Sequence, residues 1–82
     1  TGVCLSVRGK RQVFHQVTDV TFYELTDEEI AEYVSMGEST GRAGGYGIEG
    51  IGVILVKEIS GDYPNIVGLP VAETLRRLRD ML

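Results

Sequence analysis

The 82 residues predict an α/β protein, α+β within this stretch, in the order β-β-α-loop-β-α. Three observations carry that expectation. Residues 3–8 alternate apolar and polar side chains, as a half-buried strand does. Thr26 stands three residues before Glu29 at the head of a helical apolar stripe. A glycine-rich stretch, Gly37–Gly52, then separates that helix from the most apolar run, Val53-Ile54-Leu55-Val56.

In the first strand Val3, Leu5 and Val7 share one face and Cys4, Ser6 and Arg8 the other. Gly9 supplies a turn, and a β-rich segment follows over residues 11–25. Its apolar phase moves from Val13 and Val17 to Val20 and Phe22. A period of two cannot change phase without turning the face over, so a bulge or bend is expected near Thr18–Asp19. The two segments should pair as an antiparallel hairpin.

Thr26 and Glu29 form a capping box, with Leu25 and Ile30 set as a hydrophobic staple. Ile30, Tyr33 and Val34 give the stripe, and Gly37 ends the helix in a left-handed turn. Asp27, Glu28 and Glu29 complement the helix dipole, which gives these acids a structural role. Val53–Val56, continuing to Ile59, reads as a central strand buried on both faces. Gly61, Asp62, Pro64 and Asn65 are turn residues. Pro70 then suits the first turn of a second helix, along which Val71, Leu75, Leu78 and Leu82 recur. Arg76, Arg77 and Arg79 fall late in it, where the dipole favours cations.

A chain this short makes one small domain. Its net charge of −4 leaves no broad basic face for nucleic acid or an anionic membrane. One cysteine, Cys4, excludes an internal disulfide, and a small buried thiol is expected there. No apolar run is long enough to span a membrane, and no signal peptide is evident, so a cytoplasmic protein is expected. Thr1 enters a strand pattern at once, which suggests one part of something larger.

Gly37–Gly52 holds seven of the chain's eleven glycines, together with one fixed cation, Arg42, and the carboxylate of Glu49. Gly45-Tyr46-Gly47-Ile48-Glu49-Gly50 fits G-x-G-x-x-G, but a dinucleotide fingerprint needs a strand before it and a helix after it. Here the order is reversed. No Gly-Lys-Ser/Thr, metal-ligand spacing or nucleophile–base set is present, and His15 reads as a strand histidine. What remains is a loop whose backbone N–H groups and Arg42 suit a phosphate. Glu49 would accept donors from a nucleobase or help hold a divalent cation. A long flexible connection with Arg42 and Glu49 joined in a local ion pair is the alternative.

Two blocks carry a family resemblance. One is Gly37-Glu38 with Arg42-Ala43-Gly44-Gly45-Tyr46-Gly47-Ile48-Glu49-Gly50; the other is Ile59-Ser60-Gly61-Asp62-Tyr63-Pro64-Asn65-Ile66-Val67-Gly68-Leu69-Pro70. They resemble the C-terminal half of the Maf family of septum-formation-like nucleotide pyrophosphatases, and Thr1-Gly2-Val3 is similar to the family strand that opens this half. The resemblance implies an inosine-triphosphate-pyrophosphatase-like fold across residues 1–82. It implies hydrolysis of a nucleoside triphosphate, dTTP or UTP or a modified nucleotide, to monophosphate and pyrophosphate. Mg²⁺ (or Mn²⁺) and a homodimer go with it. The substrate-binding residues would be Arg42, Glu49, Gly44 and Gly45, with Glu49 a possible metal contact. The general base would lie in an N-terminal half, on the same or a second polypeptide. Two departures stand out: the family lysine is Arg42 and the family glutamine is Glu49. A carboxylate accepts but cannot donate, so a 7-methyl-GTP-preferring enzyme and a non-catalytic nucleotide-binding module stay open.

Overall fold

The computed structural model describes residues 1–82. Strands β1 (Gly2–Val7), β2 (Lys10–His15) and β3 (Asp19–Phe22) lead to helix α1 (Asp27–Ser35). The glycine-rich stretch follows, with short 3₁₀ turns at Ala43–Gly45 and Ile51–Leu55. Strand β4 (Val56–Ser60), a short helix α2 (Tyr63–Val67) and helix α3 (Val71–Met81) complete the chain. It divides into two compact units: Thr1–Asp19 with Gly61–Leu82, and Val20–Ser60. The mixed α/β class stands. The order gains one strand, β3, and one short helix, α2, over the expected one.

In the first unit β1 and β2 pair antiparallel from Gly2–His15 to Val7–Lys10. Arg8 and Gly9 close the hairpin with φ of 48° and 80°, the two positive values of a type I′ turn. That two-residue turn fixes the register, and the register corrects two expectations. Phe14 faces Val3 and is buried, whereas Val13 faces Cys4 and is 72% exposed. The inward phase of β2 is therefore even, and Cys4 is exposed on the outer face of the hairpin.

The phase change near Thr18–Asp19 is more than a bend. Thr1 and Gln16 exchange both backbone bonds one pair past His15, and β3 then leaves to pair with β4 in a second two-stranded sheet. Thr18 and Asn65 hold the chain where it leaves the hairpin, within the first unit. The Asn65 side-chain amide donates to Gln16 O (3.2 Å) and Thr18 Oγ1 (3.0 Å), and Thr18 Oγ1 donates to Asp62 O (3.0 Å). Gln16 O is thus shared between Thr1 and Asn65, and the Thr18 hydroxyl is tied to Asp62 and Asn65. The stretch read as turn chemistry is thus also a helix: Asp62 caps α2 by accepting from the Asn65 N–H at 2.9 Å.

Pro70 is fully buried and stands at the N-cap of α3. The helix forms as expected, but its inward face is not the leucine stripe. Met81 is buried, whereas Val71, Leu75 and Leu82 remain exposed. Arg77 lies over the Phe14 ring with its guanidinium carbon 4.4 Å from the centroid, and its Nε donates to Glu73 at 2.7 Å. The arginine cluster thus contains one cation occupied in packing the unit's own core.

In the second unit the capping box forms as expected: Glu29 N–H donates to Thr26 Oγ1 at 3.1 Å, and Thr26 N–H donates to Glu29 Oε1 at 3.2 Å. Gly37 follows the helix with φ 79°, and its N–H returns to Val34 O. Thr26→Ala should lower the unfolding free energy by about 1 kcal/mol in urea denaturation, because it strands the Glu29 donor.

The buried central strand over Val53–Val56 is not found. Ile51–Leu55 coils into 3₁₀ turns, β4 begins only at Val56, and Val53 and Ile54 are 52% and 69% exposed. The reason lies upstream. The N–H groups of Ile51 and Gly52 are held by Glu38, and Val53 N–H returns to Gly50 O, so these residues have no donors left for a ladder.

Candidate functional site

Helix α1 turns one face inward at Tyr33, its only buried residue. The helix then stops at Gly37, and the reversal brings Glu38 back alongside Tyr33. The Tyr33 hydroxyl donates to Glu38 Oε1 at 2.6 Å and accepts from the Gly47 N–H at 2.9 Å. Glu38 Oε1 also accepts from the Gly52 N–H at 2.8 Å, and Oε2 from the Ile51 N–H at 3.0 Å. One carboxylate thus takes three donors, and one phenol links it to a third backbone N–H group, that of Gly47.

The glycines make this approach possible. A Cβ on Gly47 would lie 2.9 Å from Glu38 Oε1 and from the Arg42 guanidinium carbon. A Cβ on Gly52 would lie 2.7 Å from both the Tyr33 hydroxyl and the Gly47 carbonyl oxygen. At Gly47 a side chain would push the Arg42 and Glu38 ends away, and at Gly52 it would meet backbone and the bonded Tyr33 hydroxyl, so glycine lets the backbone close around the carboxylate. The bare backbone at 47–52 is therefore wrapped around an internal anion, and its Ile51 and Gly52 N–H groups are already engaged.

The electrostatics follow the geometry. The Tyr33 hydrogen bond, then the Gly52 N–H, hold the Glu38 carboxyl below the usual carboxylate range. Burial, and then the Glu38 hydrogen bond, push the Tyr33 phenol up. Burial likewise pushes the Tyr46 phenol up.

Arg42 and Glu49 meet. The Arg42 guanidinium donates to Glu49 Oε1, and both side chains stay partly exposed, at 38% and 44%. That hydrogen bond raises the arginine's already high value. Glu49 is held low first by its own backbone N–H and then by Arg42. Gly44 and Gly45 lie in the 3₁₀ turn just after Arg42, at φ of 77° and 73°. They border a cavity of about 260 Å³ with Phe22, Leu25, Tyr33 and Tyr46 among its walls. Phe22 and Tyr46 pack edge to face, 4.9 Å between centroids.

The expected set therefore separates into an exposed ion pair, Arg42–Glu49, and a glycine turn against an apolar cavity. Sequence reasoning passed over Glu38 and Tyr33. The first was only one letter of a motif and the second one member of an apolar stripe. The available signal was the spacing of Gly47, Gly50 and Gly52, three positions without side chains on either side of a tight turn.

The comparisons with known proteins agree on one family. A family model described as "Maf-like protein" matches residues 1–81. A dTTP/UTP pyrophosphatase of Halalkalibacterium halodurans is 49% identical over 79 residues, which are 96% of this chain and 42% of that relative. The dTTP/UTP pyrophosphatase of Bacillus cytotoxicus is 48% identical over the same length, 41% of its own. That of Bacillus pumilus is 45% identical over 78 residues, again 41% of its length. The chain spans about two fifths of the curated relatives it matches. Matched over nearly its whole length both by the family model and by these relatives, the chain belongs to the Maf-like protein family.

Proposed function

We propose that this chain forms the nucleotide-binding part of a nucleoside triphosphate pyrophosphatase that cleaves dTTP or UTP to the monophosphate and pyrophosphate. One observation carries the reading: a partly exposed cation and a carboxylate, Arg42 and Glu49, meet in a glycine loop inside the region shared with relatives named dTTP/UTP pyrophosphatase. Arg42 offers a planar fork of donors to phosphate oxygens. Glu49, once Arg42 turns to the ligand, accepts from a base N–H. Gly44 and Gly45 let the ligand approach the backbone.

The proposal includes a divalent cation, Mg²⁺ or Mn²⁺, carried mainly by the triphosphate oxygens. The residues of this chain do not make a cage for it. No three His, Cys, Asp or Glu side chains converge, Glu38 is saturated by donors, and Glu49 is engaged by Arg42. Glu49 is the one carboxylate of the loop that a ligand could recruit. We place the general base outside these 82 residues. A homodimer and a cytoplasmic location belong to the same proposal; no helix is long and apolar enough to cross a membrane.

Calorimetric titration with dTTP, UTP and 7-methyl-GTP tests the reading. Arg42→Ala should weaken dTTP binding by about tenfold or more, the worth of a charge-assisted hydrogen bond. Arg77→Ala should leave it unchanged, because that guanidinium is committed to Glu73 and Phe14. Equal effects would overturn the assignment. In the complete protein, nucleotide binding without pyrophosphate release in the presence of Mg²⁺ would identify the non-catalytic module instead.

A further inference from the structure

We propose that Glu38 is a positioning residue: by filling the glycine-lined loop as an internal anion, it sets where Arg42 and Glu49 present themselves. The proposed purpose, ligand binding, rests on the preceding reading; the positioning itself does not.

Gly47 is the shared wall. Its missing Cβ would lie 2.9 Å from Glu38 Oε1 on one side and 2.9 Å from the Arg42 Cζ and Nη1 on the other. The two side chains therefore pack against the same bare backbone, so a shift of Gly47 would disturb both. Gly47 is itself held by its N–H bond to Tyr33, which in turn donates to Glu38. Glu49 follows Ile48, which is buried, and precedes Gly50, against which the Glu38 carboxylate also packs. Both ends of the Arg42–Glu49 pair are thus anchored, within one or two residues or by direct packing, to backbone that Glu38 holds.

The charges are arranged consistently. Facing Glu38 are the Tyr33 phenol from α1 and the Arg42 guanidinium from the loop, with Glu49 hydrogen-bonded to Arg42. Two carboxylates flank one cation, and Arg42 bonds to the outer one, Glu49. Glu38 is the inner one and takes backbone donors. Its negative charge keeps Arg42 near Gly47 without competing for the guanidinium's hydrogen bonds. That leaves one partner, Glu49, for a ligand anion to displace.

The test is amide and guanidinium hydrogen exchange by NMR on the complete protein, in Glu38→Gln and Tyr33→Phe. Glu38→Gln keeps the shape and removes the charge. Tyr33→Phe keeps the charge and removes the link to Gly47. In both variants exchange of the Arg42 Nη1 protons, which bond Glu49, should rise about tenfold or more, alongside the Gly47 amide. The Glu29 amide in the α1 capping box should keep its protection. If Ile51 and Gly52 are released while Arg42 is unchanged, Glu38 only ties down backbone and the proposal fails. It fails equally if α1 loses protection together with the loop in both variants, since Glu38 is then a general stability residue. Adding dTTP to the wild type separates the two readings. No binding, with the Arg42 response intact, would sink the nucleotide assignment and leave the positioning role standing.

Discussion

Gly52→Ala is expected to lower the unfolding free energy by about 1–3 kcal/mol, the range for overpacking a well-fitted site. The new methyl carbon would stand 2.7 Å from the Tyr33 hydroxyl and 2.7 Å from the Gly47 carbonyl oxygen. Neither neighbour is the loose end of a flexible chain. Gly47 O is backbone, and the Tyr33 hydroxyl is fixed by its bonds to Glu38 and Gly47. Relief requires the phenol to withdraw, which frees the Gly47 N–H and leaves Glu38 short of a donor. Gly2→Ala is the control. Its Cβ would meet nothing within 4 Å, and the change should stay within about 0.5 kcal/mol of wild type. Urea denaturation of both variants checks the contrast. Equal effects would mean that the close approach at Gly52 does not constrain the fold.

Acid should loosen the Val20–Ser60 unit through Glu38. The folded-state value of this carboxyl is depressed, its first cause being the Tyr33 hydrogen bond. For a depressed carboxyl, the stabilisation is fully present above the unfolded-state value, about pH 4.3. It is lost as pH falls through the lower folded value. Glu49, also depressed, adds in the same direction. The phenols act at the other end. Tyr33 and Tyr46 are raised, so their contribution is present below about pH 10 and is lost as pH rises through their higher folded values. A plateau between these limits is expected in urea midpoints measured against pH. In Glu38→Gln the acid limb should become shallower, since a neutral amide has no proton to gain. An unchanged acid limb in that variant would assign the acid sensitivity to other carboxylates.

The parts of the fold legible in the sequence are those fixed by neighbours within four residues. The Thr26–Glu29 capping box, the left-handed turn at Gly37 and the Arg8–Gly9 turn are of this kind. Each depends on a local donor, acceptor or φ, so its residues announce it. The misreadings arise where a distant partner decides. Val53–Leu55 has the composition of a buried strand, but Glu38, more than a dozen residues earlier, holds the neighbouring N–H groups and coils the segment. Val13 and Phe14 are both good strand residues, and only the register decides which one faces inward. The exit from the hairpin at Gln16 and Thr18 is held by Asn65, nearly fifty residues away.

The site was legible in part for the same reason. Arg42 and Glu49 were conspicuous as charges in a glycine loop, and the structure joins them. The glycines were read as room for an external anion. At Gly47, Gly50 and Gly52 the nearest anion is internal. Composition reports that a backbone must be approached closely, but it does not name what approaches. Glu38 sits next to the helix stop, where an acid looks like a solvated charge, and nothing local connects it to residue 52.

The most direct measurement is the titration of the Glu38 side-chain carboxyl carbon by NMR, with the Ile51 and Gly52 amides followed in the same samples. The structure predicts a midpoint below the ordinary glutamate value of about 4.3 and amide shifts that move with that midpoint. A midpoint at or above the ordinary value, with those amides indifferent to it, would show that no internal anion organises this loop.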